Sequence, residues 1–354
     1  MKLNSEDHSG RCDMLDGLTY LEDRSLGCVI GAFLGDSIGS FLEFKRNVTI
    51  EEAHTAWELP GGGPFRLSPG QITDDSELSL CLARGILDGI SSGEGFNCDR
   101  IAKRYAQWLL SRPFDIGKTT TAALFKAAQR LESSDDHTGL ANVCRQFAFE
   151  RNLHSESNGG LMRLSPLIVF CSRIDDEDMV KCLVIEEQSL THSNVIARKA
   201  AVAFVLAARH IIREGDVEGA LHKVREYVRT NKEIDDYWSQ TSQEVLLHGN
   251  VNMGWSKIAW SYSFQMLRQR LSYKEAILSV LLQGGDTDTN AAIVGSMIGA
   301  AMGFKSLYKE AKTQIDVLLK CDPTIGDQPR PVDYAPNTII QLVKEILDVN
   351  TSAS

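Results

Sequence analysis

"QGGDTDTNAAIVG" runs from Gln283 to Gly295. Two glycines open it, Gly284 and Gly285. Two aspartates follow at a spacing of two, Asp286 and Asp288, each trailed by a threonine, Thr287 and Thr289. Beyond Thr289 the chain turns small and apolar, and Gly295, Gly299 and Gly303 recur at four-residue spacing. That spacing reads as a helix with one thin face, against which a neighbour can approach closely. The stretch places several anionic oxygens at the start of a helix made for burial.

A second stretch has the same grammar. "GQITDDSELSL", Gly70 to Leu80, sets Thr73, Asp74 and Asp75 ahead of Leu78, Leu82, Ile86 and Ile90, which recur every four residues. Thr73 or Asp74 can cap this helix, and acids in a first turn favour the macrodipole. Capping accounts for one acid in each cluster and leaves a surplus. Hard cations such as Mg2+ and Mn2+ take carboxylate and hydroxyl oxygens in octahedral geometry. Asp286 and Asp288 can lean toward one centre, with Thr289 adding a neutral oxygen. Thr73, Asp74 and Asp75 can supply the other half. Two trios point to two ions, which would polarise a ligand and order a water.

The rest of the chain is read in helical period. Ile101 to Leu110, Ala122 to Leu131, Val180 to Glu187, Val195 to Ile212, Val217 to Val228, Tyr273 to Leu282 and Thr338 to Leu347 all carry it. Alternating runs are scarce, so an all-α fold is expected. Turn signals lie at Leu59 to Gln71, Ser91 to Asn97, Leu110 to Lys118 and Ser155 to Gly160. No fixed-period repeat or linker divides the chain. One domain over residues 21–349 is expected, with a loose arm over residues 1–20 and a frayed C-terminus.

Composition narrows the function classes. The 354 residues are 43% hydrophobic, enough for a sizeable core, and the formal net charge is −10. No basic stripe is present, so nucleic-acid binding is not expected. The longest apolar runs, "AAVAFVLAA" and "AAIVGSMIGAAMGF", are shorter than a bilayer span, so no membrane role is expected. The first residues carry no apolar signal core. None of the eight cysteines forms a CxxC pair, and several sit among apolar residues. Buried free thiols in a reducing compartment, cytoplasmic or nuclear, are the expectation, in a protein acting as a monomer.

Other stretches are ambiguous alone. "DIGKTTTAAL" suggests a P-loop, but the pattern needs a glycine where Arg112 stands. The loop can still present backbone N–H groups to a phosphate at a helix start, or be an ordinary helix opening with threonine caps. In "SNGGLMRLSPL", Gly159 and Gly160 allow close approach to a ligand, or simply a tight turn. "LTHSN" places His192 between helices, where a histidine is more often a structural hydrogen-bonder.

Together "GAFLGDSIGSFLEF", "GQITDDSELSL", "DIGKTTTAAL", "NGGLMRLSPL", "THSN" and "GGDTDTNAAIVG" resemble the ADP-ribosylglycohydrolase family, in the family's order, over residues 26 to about 304. The resemblance implies a compact all-α, multi-helix fold with a binuclear Mg2+ site in a central cleft. It implies hydrolysis of the bond at ADP-ribose C1″, releasing ADP-ribose from a modified protein side chain or another conjugate. By the same resemblance the metal ligands would be Thr73, Asp74, Asp75, Asp286, Asp288 and Thr289. Asp115 to Gly117 would lie near the diphosphate or ribose, Asn158, Gly159 and Gly160 would line the cleft, and His192 would lie near the substrate. A family subtype acting on serine-linked and polymeric ADP-ribose carries a glutamate at the place of Glu43, in a flexible loop over the metals. Glu43 is therefore the candidate gate or general base, with Asp74 and Asp75 also able to activate water. That subtype also has an aromatic near the adenine where this chain has Glu156. Two rival readings are a non-catalytic ADP-ribose-binding or crystallin-like protein and a metallohydrolase acting on phosphate esters.

Overall fold

Small residues at every fourth position decide the centre of the molecule. The computed structural model describes residues 17–134 and 136–349. Among them are sixteen α-helices and no β-strand. The helices are α1 (Tyr20–Gly39), α2 (Ile50–Trp57), α3 (Asp74–Ser91), α4 (Cys98–Leu110), α5 (Lys118–Ser133), α6 (Leu140–Asn152), α7 (Ser165–Cys171) and α8 (Glu177–Gln188). They continue as α9 (Val195–Glu214), α10 (Val217–Thr230), α11 (Asp235–Gln240), α12 (Ser256–Gln269), α13 (Tyr273–Leu281), α14 (Thr287–Met302), α15 (Phe304–Lys320) and α16 (Thr338–Asp348).

Helix α1 lies against α14 along the whole length of both. Gly27, Gly31, Gly35 and Gly39 of α1 meet Gly299, Gly295, Ala291 and Thr287 of α14 in turn. A methyl group on any of these four α1 glycines would collide with the facing backbone carbonyl oxygen. The contact is therefore backbone on backbone, which only glycine permits. Tyr273 donates to the Gly31 carbonyl at 2.5 Å, and Arg24 donates to the Ala300 and Ala301 carbonyls at 2.9 and 2.7 Å. The thin face expected on α14 is thus real for Gly295 and Gly299. Gly303 serves differently: with φ 78 it ends the helix.

Helix α1 was not among the helices expected from periodicity. Every residue from Ser25 to Gly39 is buried, so the sequence shows no polar face and no stripe. Tyr20–Leu42 is long and apolar enough over its 23 residues to cross a membrane, but its apolar stretch is 94% buried inside the protein. It is a central rod against which α14, α15, α9, α16, α7, α3 and α2 pack. Its start is fixed by a capping box: Glu22 N–H donates to Thr19 Oγ1 and Thr19 N–H to Glu22 Oε2. Residues 1–16 of the expected arm, and residues 350–354 of the expected frayed end, lie outside the described residues. All seven described cysteines are unpaired; Cys28, Cys81, Cys144, Cys171 and Cys321 are buried, while Cys182 is exposed.

Candidate functional site

The two acidic helix starts are not capped by their own residues. Thr73 occupies the N-cap position of α3 with an extended backbone, but its side chain accepts from no helical N–H. Its hydroxyl donates instead to Asp36 Oδ1 at 2.7 Å, and its N–H points to the same carboxylate at 3.1 and 3.2 Å. Ser76 adds its N–H at 3.2 Å and its hydroxyl at 2.5 Å to Asp36 Oδ2. The expected cap by Thr73 or Asp74 is therefore replaced by Asp36, reaching over from α1. At α14 the arrangement repeats. Asp286 sits at the N-cap without capping, and Glu43 accepts from Thr287 N at 2.7 Å and Asp288 N at 3.3 Å.

Asp36 and Glu43 stand seven residues apart, one in the last turns of α1 and one just after the tight turn Ser40–Leu42 that follows it. One rigid segment thus satisfies the free N–H groups of both helices. Asp74, Asp75, Asp286 and Asp288 are thereby released from capping and gathered into one acidic cluster. Carboxylate oxygens of Asp36, Asp75 and Asp288 lie within 4.8 Å of one another, and so do those of Glu43, Asp286 and Asp288. Thr289 Oγ1 donates to Asp75 Oδ2 at 3.4 Å.

Burial and mutual repulsion act together here. Burial holds the carboxyls of Asp74, Asp75 and Asp288 well above the usual range, with neighbouring carboxylates adding to the shift. Burial and then Asp286 push Glu43 to about 8. Asp36 rises only to about 6, because four hydrogen bonds oppose its burial. Asp75 Oδ1 is buried with no hydrogen-bond partner. A buried unpartnered carboxylate oxygen among like charges calls for a cation. The donors are all oxygens, so the set fits hard divalent ions such as Mg2+ or Mn2+.

The two glycines before Asp286 have a structural cause. Gly284 and Gly285 have φ of 63 and 83. Gly285 N–H donates to Lys45 O and Phe44 N–H to Gly285 O, both at 2.8 Å, while Gly249 N–H donates to Gln283 O at 3.1 Å. Side chains at Gly284 and Gly285 would collide with the Lys45 and Gly249 carbonyls. Three backbone segments meet at this turn and fix the position of Asp286.

Above the acids opens a cleft of about 810 Å3. Glu43, Asp74, Asp115, Asp286, Asp288 and Thr289 line it, while Asp75 (1% exposed) and Thr73 (0%) lie beneath its floor. Burial and Asp286 raise Asp115 to about 6. Gly117 opens α5 at the wall, with nothing within 4 Å of where a side chain would stand. Asn158 donates its side chain to Asp286 Oδ2 at 2.8 Å and its N–H to Gly254 O at 2.8 Å. Gly159 is on the wall.

Gly160 and His192 are not among the wall residues. Gln188 covers the Gly160 carbonyl at 2.8 Å. His192 is fully buried beneath Gly159, its Nδ1 paired with Thr191 Oγ1 at 2.8 Å, and burial depresses its pKa to about 3. It is a neutral structural group under the glycine turn rather than a group on the cleft surface. A buried Arg163–Glu187 ion pair at 2.7 Å, tied to Thr191, supports it from below.

Three residues escaped sequence reasoning. Asp36 stands alone in an apolar run, which was its one signal. Phe44 lines the rim beside Glu43. Trp255 is the third: Glu156, where the subtype has an aromatic, accepts from Trp255 Nε1 and from the Tyr237 hydroxyl, each at 2.8 Å. The carboxylate thus holds an indole at the cleft wall.

The ADP-ribosylglycohydrolase family model matches residues 18–330. An ADP-ribosyl-dinitrogen reductase glycohydrolase of Rhodospirillum rubrum is 24% identical, over 84% of this chain and 96% of its own. An ADP-ribosylarginine hydrolase, Tri1, of Serratia proteamaculans is 26% identical, over 81% of this chain and 74% of its own. A solved "ADP-ribosylglycohydrolase-related protein complex" shares the fold, with a TM-score of 0.64 and 23% identity over 85% of this chain and 99% of that one.

Proposed function

Because the chain belongs to the ADP-ribosylglycohydrolase family, a family of hydrolases acting on ADP-ribose conjugates, we propose that it cleaves the glycosidic bond at ADP-ribose C1″ of modified protein side chains, with two Mg2+ ions bound. The observation that carries this reading is the convergence of two acidic helix starts, α3 and α14, on one cleft floor. Thr73, Asp74 and Asp75 would hold the ions from one side, and Asp286, Asp288 and Thr289 from the other. When bound, the ions would supply Lewis-acid polarisation of the ribose hydroxyls and orientation of C1″.

The chain's own residues carry the remaining work. Glycosidic cleavage passes through an oxocarbenium-like state, which nearby carboxylates stabilise. Glu43 lines the cleft and would take a proton from attacking water and return it to the leaving group. Asp74 is the second wall acid able to take that proton, while Asp75 lies beneath the floor. Asn158 fixes Asp286 through its amide. Gly117 and Gly159 leave room at the wall for diphosphate and ribose, and Trp255 offers a stacking face for adenine. Unpaired buried thiols support a reducing compartment.

The test is release of free ADP-ribose from arginine-linked, serine-linked, polymeric and O-acetyl conjugates, with Mg2+ or with EDTA. Release that needs Mg2+ and disappears in Asp288→Ala is expected. Full activity of Asp288→Ala in EDTA, or release of inorganic phosphate or AMP in place of ADP-ribose, refutes the reading.

A further inference from the structure

One wall of the cleft is built from chain without helix. Residues 241–255 join α11 to α12, and Asn252, Met253, Gly254 and Trp255 at their end line the cleft. A connection of that length with no helix or strand of its own usually serves a ligand. A turn sets its course. Asn252 and Gly254 have φ of 56 and 79, and Trp255 N–H donates to Asn252 O at 3.0 Å. The turn delivers Trp255 to the N-cap position of α12, where its side chain takes no part in capping.

Glu156 holds the indole there. Its Oε2 accepts from Trp255 Nε1 and from the Tyr237 hydroxyl, and its backbone carbonyl accepts from Ser256 N–H, each at 2.8 Å. A carboxylate offers acceptors alone, so the one Tyr237 hydroxyl proton points to Glu156. Ser256 Oγ, 2.9 Å from the phenolic oxygen, is then the donor to it. Tyr237 also stands edge-on to the indole, with centroids 6.2 Å apart and planes at 85°, and Lys257 Nζ lies 5.1 Å over the ring. An antiparallel bridge joins Ser157 to Trp255, and Gly254 O accepts from Asn158 N–H at 2.8 Å. The ring is thus fixed at its N–H edge, over one face and along its backbone. Without the carboxylate the backbone contacts remain, whereas the indole and the buried Tyr237 hydroxyl lose their shared acceptor.

Glu156 itself lines the cleft. A carboxylate on the wall of a cleft that takes a diphosphate works against the ligand unless donors take up its charge, and two do so here. Its contribution is indirect. An indole free to rotate loses that freedom when a base packs against it, whereas a ring held in advance has none to lose. We propose that Glu156 is a positioning residue for substrate binding: by fixing the Trp255 indole it presents a preset wall to the purine of an ADP-ribosyl ligand, without touching that ligand. This rests on the glycohydrolase reading and assigns a residue to the base end of its cleft.

The experiment measures the dissociation constant of ADP-ribose by calorimetry, with Mg2+ present, in wild type, Glu156→Ala, Glu156→Gln, Trp255→Phe and the Glu156→Ala/Trp255→Phe double variant. Thermal melts confirm folding. The constant should rise roughly tenfold in Glu156→Ala and recover in Glu156→Gln, whose amide oxygen still accepts. Trp255→Phe keeps a ring but has no N–H, and should show a loss of the same order. The double variant should lose no more than the larger single loss, because both changes cut one contact. In turnover the change should fall on KM rather than on kcat. An unchanged constant in Glu156→Ala, or losses that add in the double variant, overturns the proposal and leaves the glycohydrolase reading standing. Should Glu156→Ala not fold, Trp255→Phe decides alone, and an unchanged constant there overturns it. If no ADP-ribose conjugate is cleaved, the glycohydrolase reading fails, and the binding cycle still decides this one. A wild type that binds no ADP-ribose overturns it as well.

Discussion

Asp36 shows how a single carboxylate sets a site without standing on its surface. It accepts from Thr73 and Ser76, 37 and 40 positions further along the chain. Replacing it by Ala leaves buried donors unmatched, so Asp36→Ala should cost about 2 kcal/mol in urea unfolding. It should also abolish any rise in melting temperature on adding Mg2+, because Thr73 to Asp75 lose their anchor. An unchanged melting response would refute that anchoring role. The two acidic trios were legible in the sequence because their residue types carry chemistry by themselves. Asp36 was not, because its meaning lies in a contact that no local pattern records. His192 was placed near substrate by motif, and burial instead put it one layer down.

At the scale of elements, the α1–α14 pair is the determinant. Gly31→Ala forces a methyl group into the Gly295 carbonyl and should cost about 3 kcal/mol or more by denaturant melt. Gly117→Ala meets nothing within 4 Å and should change stability by less than about 1 kcal/mol. A similar cost for both would mean that the close packing is not what holds the pair. Half of this contact was visible beforehand, as the glycine spacing of α14. The matching spacing in "SLGCVIGAFLGDSIG" was equally present, but full burial erased the polar face by which a helix is recognised. Helices with one wet face, such as α4 and α10, were found by their stripe.

For the whole molecule, pH acts on stability from two directions. His192 is neutral in the fold, with a pKa near 3 against 6.5 when free. Its contribution is present above pH 6.5 and is lost as pH falls toward 3, by up to about 1.4 kcal/mol per pH unit. His192→Gln should flatten that acid limb of a melting-temperature profile. The site carboxylates run the other way. Glu43 rises from 4.5 to about 8, so the metal-free protein should lose stability as pH climbs through that window. Added Mg2+ should therefore raise the melting temperature more at pH 8 than at pH 5, where protons already neutralise the acids. An equal gain at both values would argue against these carboxylates as the ligands.

Asp36, Glu43 and the Thr73–Asp75 trio all precede the loop between α5 and α6, while Asp286, Asp288 and Thr289 all follow it. Expressed as two polypeptides divided in that loop, the enzyme would have part of its acid set on each, joined chiefly through the glycine seam of α1 and α14. Hydrolysis would then become a report on association: absent for either piece alone, and rising with the square of dilute, equal fragment concentrations until the seam closes.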